Sequence, residues 1–567
     1  MLHFLATLFI PSDAARRAAR WFLASGLLLA PAAMTYAATP TVVVGEPVTI
    51  RIEINDRAEL QELTHLVSIE NVRGSEVWAI ATPRQLDSLR AAGFEWQVEL
   101  PAKLVPITMC PEGWESFAGR DWSCYPSYTQ YTLIMQSFAA DHPNICRLVD
   151  LGTGNNTVRP HHLWALVISD NVDLDEDEPE VLLTSSMHGN ETTGFVLLLR
   201  LIDELLTGYG SDPEIDALVD ETEIWINPLA NPDGAYFGSD EDIAGATRYF
   251  TTTSGGSTFV DPNRNFPDPA DGALSDDQAW WPETEAMMAL AEARTFVLSA
   301  NFHGGFEVVN YPWDTWERRH PDDAWFRDLA RAYADLAQSD SPGGYMTDRE
   351  NGVTNGWDWY QTAGGRQDFM TFFHGGREVT IELSATKLLP AEELEDHWQW
   401  NRRALLDFMA HAHEGIRGLV TNRDGWPLAA AIEVVGHDTA ADASVVRTDP
   451  AVGDYHRLLL PGTYDLRFTA PGCHPFEIFG IAVPDGAATT VDVVLDCGLL
   501  RRPTGRATPN RSHDGEQAQS YQQLSPGQAA PAPILCAGEK NPEEHTAHDR
   551  RRAETNHPRP RRDRRAL

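Results

Sequence analysis

Basic residues are scarce in this chain, which carries 44 lysines and arginines against 83 aspartates and glutamates, a formal net charge of −39. Proteins bind nucleic acid largely through clustered lysine and arginine side chains, which displace the counterions of the phosphates. The charge balance therefore excludes nucleic acid as a partner of the main body of the chain. It is compatible with an extracellular protein and with the attraction of basic peptides.

Long hydrophobic runs are also lacking beyond the N-terminus, which excludes stable insertion into a membrane. The first residues resemble a signal peptide: Arg16, Arg17 and Arg20 precede a short apolar stretch at 21–30. About ten apolar residues are too few to span a bilayer, and small residues up to Ala37 suit a signal peptidase. We predict a signal peptide over 1–37 and a mature protein that is free in solution as a monomer.

Cysteine is rare as well, with 6 in 567 residues, at a spacing that matches no metal site. In an exported chain these cysteines would form one to three disulfides. Cys473 and Cys497 are plausible partners, and one pairing among Cys110, Cys124 and Cys146 stays undecided. We predict secretion into the extracellular space, with the periplasm as the alternative compartment.

The order of predicted elements divides the remaining chain into five regions. Alternating strands and helices in the longest region predict an α/β fold with a mixed, mostly parallel sheet flanked by helices. Short strands separated by turns predict a β-sandwich after it, and a capped helix at 82–92 belongs to a small unit before it. The predicted regions are a small α+β domain (41–106), a linker (107–127), the α/β domain (128–414), the β-sandwich (415–500) and a disordered arginine-rich tail (501–567).

A candidate metal site follows a predicted buried strand of the α/β region. The apolar run at 181–187 leads directly into HGNE at 188–191. Ligands bind at the carboxyl ends of strands in open α/β folds, and imidazole and carboxylate are good zinc ligands. A histidine and a glutamate three residues apart are more often a coincidence than a site. The interpretation therefore needs a third ligand and a base.

Both are available further along the chain. The apolar strand at 295–302 ends at His303, and a catalytic zinc takes three protein ligands and leaves one position open. Glu382 lies inside the β-branched strand at 379–383, where a carboxylate is unfavourable unless something requires it. Near zinc such a glutamate can act as a general base. The plainer alternatives are a hydrogen-bonded histidine at a strand end and a salt-bridged glutamate.

Seven motifs occur in an order that resembles the zinc metallocarboxypeptidases, and specifically the branch of carboxypeptidases N, E and D. The resemblance covers residues 128–412, and that branch also carries a transthyretin-like sandwich directly after the catalytic domain. The region at 41–106 resembles, more loosely, the activation domains of secreted carboxypeptidases. The motifs are HGNE, NPDG (231–234), DPNRNFPD (261–268), FHGG (302–305), NYPWD (310–314), TNGWDWYQTAGG (354–365) and TIELS (380–384).

The resemblance implies a role for each residue that matches a motif. It makes His188, Glu191 and His303 the ligands of one Zn²⁺ per chain, and Glu382 the general base. The protein would be a zinc-dependent peptide hydrolase, and its partners would be peptides or proteins with free C-termini.

The resemblance also implies residues that bind the substrate. Asn263 and Arg264 would hold the C-terminal carboxylate, a task that suits a planar guanidinium, and Tyr360 would close over the substrate. Arg248 is the one arginine between Asp233 and Arg264. It is therefore the candidate for the arginine that polarises the scissile carbonyl and stabilises the oxyanion.

Substrate preference follows from Asp314 within the same resemblance. An aspartate at this place receives a basic terminal side chain, and Gln367 would line the same pocket. The sequence therefore predicts a preference for C-terminal Lys or Arg, because an apolar side chain would leave the carboxylate desolvated. Arg366 departs from the pattern: turned inward it could neutralise Asp314, but we expect it to point to solvent.

Two other functions stay open. One is a zinc peptidase that acts on cell-wall peptides ending in diaminopimelate. The other is a peptide-binding relative without activity, against which the complete set of zinc ligands, base and carboxylate-binding residues counts. The acidic run DLDEDEPE at 173–180 lacks the spaced oxygen ligands of a calcium loop, so we expect a solvated acidic loop there.

Overall fold

The computed structural model describes residues 47–99, 107–116, 119–155, 159–250, 260–270, 272 and 279–498. The predicted signal peptide and the predicted arginine-rich tail lie outside these residues. Within them, no helix combines the length and the apolar character needed to cross a bilayer.

The first described region is a small α+β unit with a four-stranded antiparallel sheet in the order β2-β3-β1-β4. Helix α2 is confirmed where the sequence predicted it: Thr82 caps it, Gln85 completes the capping box, and Gly93 ends it with a φ of 91°. The elements are β1 Val48–Glu53, α1 Arg57–Leu66, β2 Ser68–Arg73, β3 Glu76–Ala81, α2 Pro83–Ala92 and β4 Trp96–Val98.

The second region confirms the predicted α/β fold. Its eight-stranded sheet has the order β11-β10-β12-β9-β7-β8-β6-β5, with four parallel pairs at its centre and on one edge. The strands are β5 Cys146–Thr153, β6 His162–Ile168, β7 Glu180–Ser185, β8 Glu223–Asn227, β9 Phe296–His303, β10 Glu307–Tyr311, β11 Val353–Asn355 and β12 Arg377–Leu383. β7 and β9 are buried along their whole length, as expected for strands covered on both faces.

Helices cover both faces of this sheet. The longest apolar one, α4, is buried over most of its surface. The helices are α3 Tyr128–Asp141, α4 Thr193–Gly208, α5 Pro213–Glu221, α6 Pro232–Ala235, α7 Pro282–Ala293, α8 Asp323–Asp340, α9 Asp348–Asn351, α10 Gly356–Trp359, α11 Arg366–His374 and α12 Leu394–Ala410.

The segment expected to be a linker packs against this domain. Cys110 and Cys124 form a disulfide within it. Trp114 and Tyr125 are buried and belong to the same core as α3 and α4. In its described part, 107–127 therefore packs as part of the α/β domain rather than as a free connector.

The third region is the predicted β-sandwich. One sheet has the order β16-β13-β19 with β20 also paired to β13, and the other has the order β15-β14-β17-β18. The strands are β13 Gly415–Asn422, β14 Ala431–Val434, β15 Val446–Arg447, β16 Asp454–Arg457, β17 Gly462–Thr469, β18 Phe476–Val483, β19 Ala488–Thr490 and β20 Val493–Leu495. Cys473 and Cys497 form the expected disulfide, whereas Cys146 is buried with a free thiol.

A buried ion cluster joins the sandwich to the α/β domain. The carboxylate of Asp322 pairs with Arg377 Nη2 at 2.6 Å and with Arg457 Nη2 at 2.8 Å. It also lies 2.6 Å from His437 Nε2. Arg377 begins β12 of the α/β sheet and Arg457 ends β16 of the sandwich, so one carboxylate links a strand of each region.

Candidate active site

The carboxyl ends of β7 and β9 bring the predicted zinc ligands together. The strands are parallel neighbours with Ser185 paired to Phe302, so HGNE lies beside His303. The Nδ1 atoms of His188 and His303 lie 3.0 and 2.9 Å from Glu191 Oε2 and 3.1 Å from each other. All three ligand residues are buried. They therefore converge on one point.

This set of donor atoms fits zinc. Two imidazole nitrogens and one carboxylate oxygen lie within 4.8 Å of one another, which is a donor set used by catalytic zinc. Burial lowers the pKa of His303 to about 4, which favours the neutral, metal-binding imidazole. Burial acts to raise the pKa of Glu191, but the charges of His188 and Lys387 hold it well below its usual value.

The HGNE turn reaches this position because residue 189 is a glycine. A Cβ atom on Gly189 would lie 2.4 Å from the backbone nitrogen of Ala235, at the end of α6. Any side chain would push the turn away from that helix. Both ligands of the turn would move with it.

Asp261 and Arg248 support the three ligands from behind. Asp261 Oδ1 lies 3.0 Å from His188 Nε2, which assigns the ring proton to Nε2 and leaves Nδ1 as the acceptor. Arg248 Nη1 lies 3.1 Å from that Nδ1. Arg248 donates from Nε to Asp261 Oδ2 at 3.1 Å and from Nη1 to Glu191 Oε1 at 3.2 Å. The structure thus places Arg248, which the sequence argument singled out, between Asp261 and Glu191. It adds Asp261, to which the sequence argument gave no role although it opens the DPNRNFPD motif.

Glu382 lies next to the same ligands. It is on β12, which runs parallel to β9 and pairs Glu382 with His303. Its Oε2 is buried and has no hydrogen-bond partner among the described residues. Burial first, and the charge of Glu191 second, raise the pKa of Glu382 well above its usual value. A carboxylate with an uncommitted oxygen is thus available beside the ligands.

The predicted carboxylate-binding residues line the same cavity. Asn263 and Arg264 lie on a short 3₁₀ turn that Asp261 caps by accepting from the backbone N–H of Asn263 at 2.9 Å. Both are half-buried and face the cavity together with Tyr360. A guanidinium, an amide and a phenol therefore meet on one side of the ligands.

Asp314 also lines this cavity, and it is almost completely buried. It is 6 % exposed, and its Oδ1 accepts from Asn310 Nδ2 at 2.9 Å and from Gln367 Nε2 at 3.2 Å. Burial raises the pKa of Asp314 to about 6, although the hydrogen bond from Asn310 lowers it. Among the described residues no lysine or arginine nitrogen lies within 4 Å of this carboxylate. Its charge is left for a group that enters the cavity.

Two residues that the sequence argument did not single out fix the position of Asp314. Asp368 accepts from the backbone N–H groups of Asp314 and Thr315 at 3.1 and 2.8 Å. A Cβ atom on Gly356 would lie 1.6 Å from Asp314 Oδ1. Only glycine therefore fits at position 356 while the carboxylate keeps its place.

Arg366 does not point to solvent, so that expectation is wrong. It is 0 % exposed, its Nη2 donates to Glu378 Oε2 at 3.0 Å, and it also hydrogen-bonds to Thr184. The physical reason is Glu378 on β12, a fully buried carboxylate that needs a cation beside it. The guanidinium pairs with Glu378, and Asp314 keeps its charge.

The N-terminal sheet contributes one wall of the cavity. Glu70, on the edge strand β2, lines it and pairs with Lys387, whose Nζ also lies 3.4 Å from Glu191 Oε1. Ser68, on the same strand, hydrogen-bonds to Asp261. The N-terminal unit therefore contacts Lys387 and Asp261, two residues that in turn contact the ligands.

Two family models match this chain, one over the α/β region and one over the β-sandwich. The family model described as zinc carboxypeptidase matches residues 131–404, and the carboxypeptidase regulatory-like domain matches residues 415–496. The carboxypeptidase A from Helicoverpa armigera covers 65% of this chain and 97% of its own, with a TM-score of 0.51 and 16% sequence identity. At that identity the likeness supports the fold alone.

Three curated relatives have higher identity. Rat carboxypeptidase D is 38% identical over 360 residues, which are 60% of this chain but 25% of that protein. The chain thus spans about a quarter of the carboxypeptidase D proteins that it matches. Mouse carboxypeptidase M is 34% identical over 62% of this chain and 79% of its own length. The catalytic chain of human carboxypeptidase N is 34% identical over 65% of this chain and 85% of its own.

The region that matches the zinc carboxypeptidase model contains the three converging ligands described above. The β-sandwich that follows it matches the carboxypeptidase regulatory-like domain. The chain belongs to the zinc carboxypeptidase family, in the branch of carboxypeptidases N, E and D, and it carries the three residues that could hold the zinc ion.

Proposed function

We propose that this enzyme removes single residues from the C-termini of peptides and prefers Lys or Arg. The observation that carries the proposal is the buried carboxylate of Asp314, which shares one cavity with the zinc ligands and has no cation beside it among the described residues. A buried carboxylate of this kind favours a cationic side chain and penalises an apolar one. Gln367 would assist by holding Asp314 in place.

The metal would be held by His188, Glu191 and His303. Zinc bound there would supply Lewis-acid chemistry at the scissile carbonyl. Glu382, whose Oε2 has no partner among the described residues, takes the proton of the attacking water and returns it to the leaving amine. Once protonated, the same carboxyl group is the acid that the leaving amine requires.

Three further residues orient the substrate. Arg264 and Asn263 bind the terminal carboxylate through a guanidinium and an amide, and Tyr360 closes the same side of the cavity. Arg248 stabilises the negative charge that develops on the carbonyl oxygen. Its position beside Glu191 and Asp261 supports this role, because these carboxylates hold the guanidinium close to the ligands.

The test is a comparison of peptides that differ in the last residue only. We expect kcat/KM to be highest for Lys and Arg, lower for Leu and Phe, and lost after a strong chelator removes the metal, with recovery on adding Zn²⁺. A faster reaction with muropeptides that end in diaminopimelate would replace this proposal by the cell-wall alternative. Full activity after chelation would contradict the metal assignment.

We further propose that the protein is exported. Its disulfides Cys110–Cys124 and Cys473–Cys497 fit an oxidising compartment. Mass spectrometry of the protein recovered outside the producing cells should find a chain that begins after Ala37. A chain found with reduced cysteines inside the cells alone would contradict export.

We also propose that the N-terminal unit is a domain that restricts access to the active site. Glu70 supports this, because its ion pair with Lys387 ties strand β2 to the zinc ligands. In this arrangement β2 occupies one side of the route along which a substrate enters.

A further inference from the structure

A second group of potential metal ligands lies far from the active site. The loop that connects β6 to β7 faces strand β16 and the residues before it, and residues of both line a small cavity, among them Glu176, Glu178, Asp454 and His456. The loop carries most of the acidic run DLDEDEPE. The sandwich supplies Asp454 and His456, about 280 residues later in the sequence.

Three side chains of this group come within ligand distance of one another. Donor atoms of Asp177, Asp454 and His456 lie within 4.8 Å of each other. His456 Nε2 lies 3.0 Å from Asp454 Oδ2, the same separation as that between His188 Nδ1 and Glu191 Oε2 in the catalytic set. Two ligands of one zinc ion are about this far apart, since each lies about 2 Å from the metal.

One of the three side chains is buried with an uncommitted oxygen. Asp454 is 5 % exposed, and its Oδ1 has no hydrogen-bond partner among the described residues. Among the residues that the structure describes, no lysine or arginine nitrogen lies within 4 Å of the carboxylate of Asp454 or of Asp177. A buried carboxylate oxygen without a protein partner is a place where a cation can bind.

The neighbouring carboxylates of Glu180 and Asp449 differ from Asp454, because other parts of the protein neutralise them or donate hydrogen bonds to them. Glu180 pairs with Arg294 at 2.6 Å and accepts from the backbone N–H of Thr295 at 2.8 Å. Asp449 accepts from the backbone N–H of Ala451 at 2.6 Å. These carboxylates have partners outside their own group, whereas Asp454 Oδ1 has none among the described residues.

We propose that Asp177, Asp454 and His456 bind a second divalent cation of the Zn²⁺ class. One nitrogen and two oxygen donors suit zinc, whereas Ca²⁺ takes six to eight oxygen ligands. The bound ion would join the loop before β7 to the sandwich. Because β7 leads into HGNE, this link would hold the sandwich to the strand that positions two catalytic ligands.

The experiment counts zinc ions per chain after dialysis at low zinc concentration. We expect about two equivalents in the unchanged protein and about one in Asp454→Asn and Asp177→Asn, because three protein ligands define one site. Asp485→Asn is the matched control, since Asp485 is an exposed aspartate of the sandwich; it should keep both equivalents. His188→Ala should also hold about one equivalent, at the second site.

The outcomes distinguish this site from the catalytic one. About one equivalent in the unchanged protein, or about two in Asp454→Asn and Asp177→Asn, would overturn the proposal without affecting the catalytic assignment. If Asp454→Asn does not fold, Asp177→Asn decides alone, because Asp177 is exposed and tolerates the change. A rise in Tm on adding Ca²⁺ but not Zn²⁺ would also overturn it, since it would show an ion of the other class.

Discussion

Replacing Asp314 by asparagine tests the specificity of the cavity most directly. Asn310 and Gln367 both donate their hydrogen bonds to Asp314 Oδ1. The oxygen of the new amide would therefore stay at that position, and its NH₂ group would take the place of Oδ2. Two N–H donors would then face the ammonium or guanidinium of the substrate.

The magnitude follows from the burial of this carboxylate. Asp314 is 6 % exposed, so the substrate cation would lose its partner in a site largely closed to water. Breaking a buried charge pair in this way costs about 3–5 kcal/mol. For Lys- and Arg-ended peptides kcat/KM should fall roughly 10²- to 5 × 10³-fold. Phe-ended peptides should react at nearly the same rate, or slightly faster, because they no longer leave a charge unpaired.

The assay measures kcat/KM for Lys-, Arg- and Phe-ended peptides on both proteins. Asp358→Asn serves as a control, since Asp358 is an exposed aspartate that pairs with Arg319 and lines no part of the cavity. It should leave the ratio of Lys to Phe unchanged. The reasoning fails if Asp314→Asn keeps that ratio, or if the unchanged enzyme prefers Phe.

The same carboxylate predicts a pH dependence. The pKa of Asp314 is raised to about 6, so the group is protonated below that pH and ionised above it. The ratio of kcat/KM for Lys to that for Phe should rise as the pH passes from 5 to 7 and then level off, since kcat/KM reports the free enzyme. Asp314→Asn should abolish the rise. An equal rise in the variant would assign it to another group.

The remaining predictions concern the base, the covering strand and the buried arginine. Glu382→Gln should bind zinc normally but lower kcat roughly 10²- to 10⁴-fold, because the amide cannot accept a proton; a loss of less than about threefold would place the base elsewhere. Glu70→Ala removes the ion pair with Lys387 and should raise kcat/KM up to about fivefold, the effect of an ion pair worth up to about 1 kcal/mol; an unchanged value for long peptides would contradict the proposed cover. Arg366→Met leaves Glu378 buried without a cation and should lower the free energy of unfolding by about 3–5 kcal/mol without changing the ratio of Lys to Phe. Chemical denaturation measures the change in the free energy of unfolding of Arg366→Met. A change in its ratio of kcat/KM for Lys to that for Phe would mean that Arg366 acts on the pocket.

The zinc ligands could be predicted from the sequence because each follows a recognisable strand. His188 and His303 end two apolar runs, and parallel neighbours present their carboxyl ends on the same edge of a sheet. The fold class and the sandwich could be predicted for a related reason, since periodicity and turn residues are local signals. These predictions depend on patterns within a few consecutive residues.

The residues that the sequence argument missed depend on contacts between distant segments. Arg366 was expected in solvent, as most arginines are. Its partner Glu378 is 12 positions away on a strand that follows a turn, and no local pattern indicates that the two side chains meet. Glu70 and Lys387 are 317 positions apart, and no local pattern relates them. Asp261 lies within a recognised motif, yet its role becomes visible only when His188 is seen beside it. Tertiary proximity decides each of these cases.

The carboxylate of Asp322 has a consequence for how the enzyme unfolds. It holds Arg377 of the catalytic sheet and Arg457 of the sandwich at once, in a place closed to water. Separating the two regions would break the contacts of Asp322 with Arg457 and His437 and leave it Arg377 as its arginine partner. The two regions should therefore melt together in one cooperative transition. Heat or denaturant that loosens the sandwich would also release β12, and with it the glutamate that moves the proton.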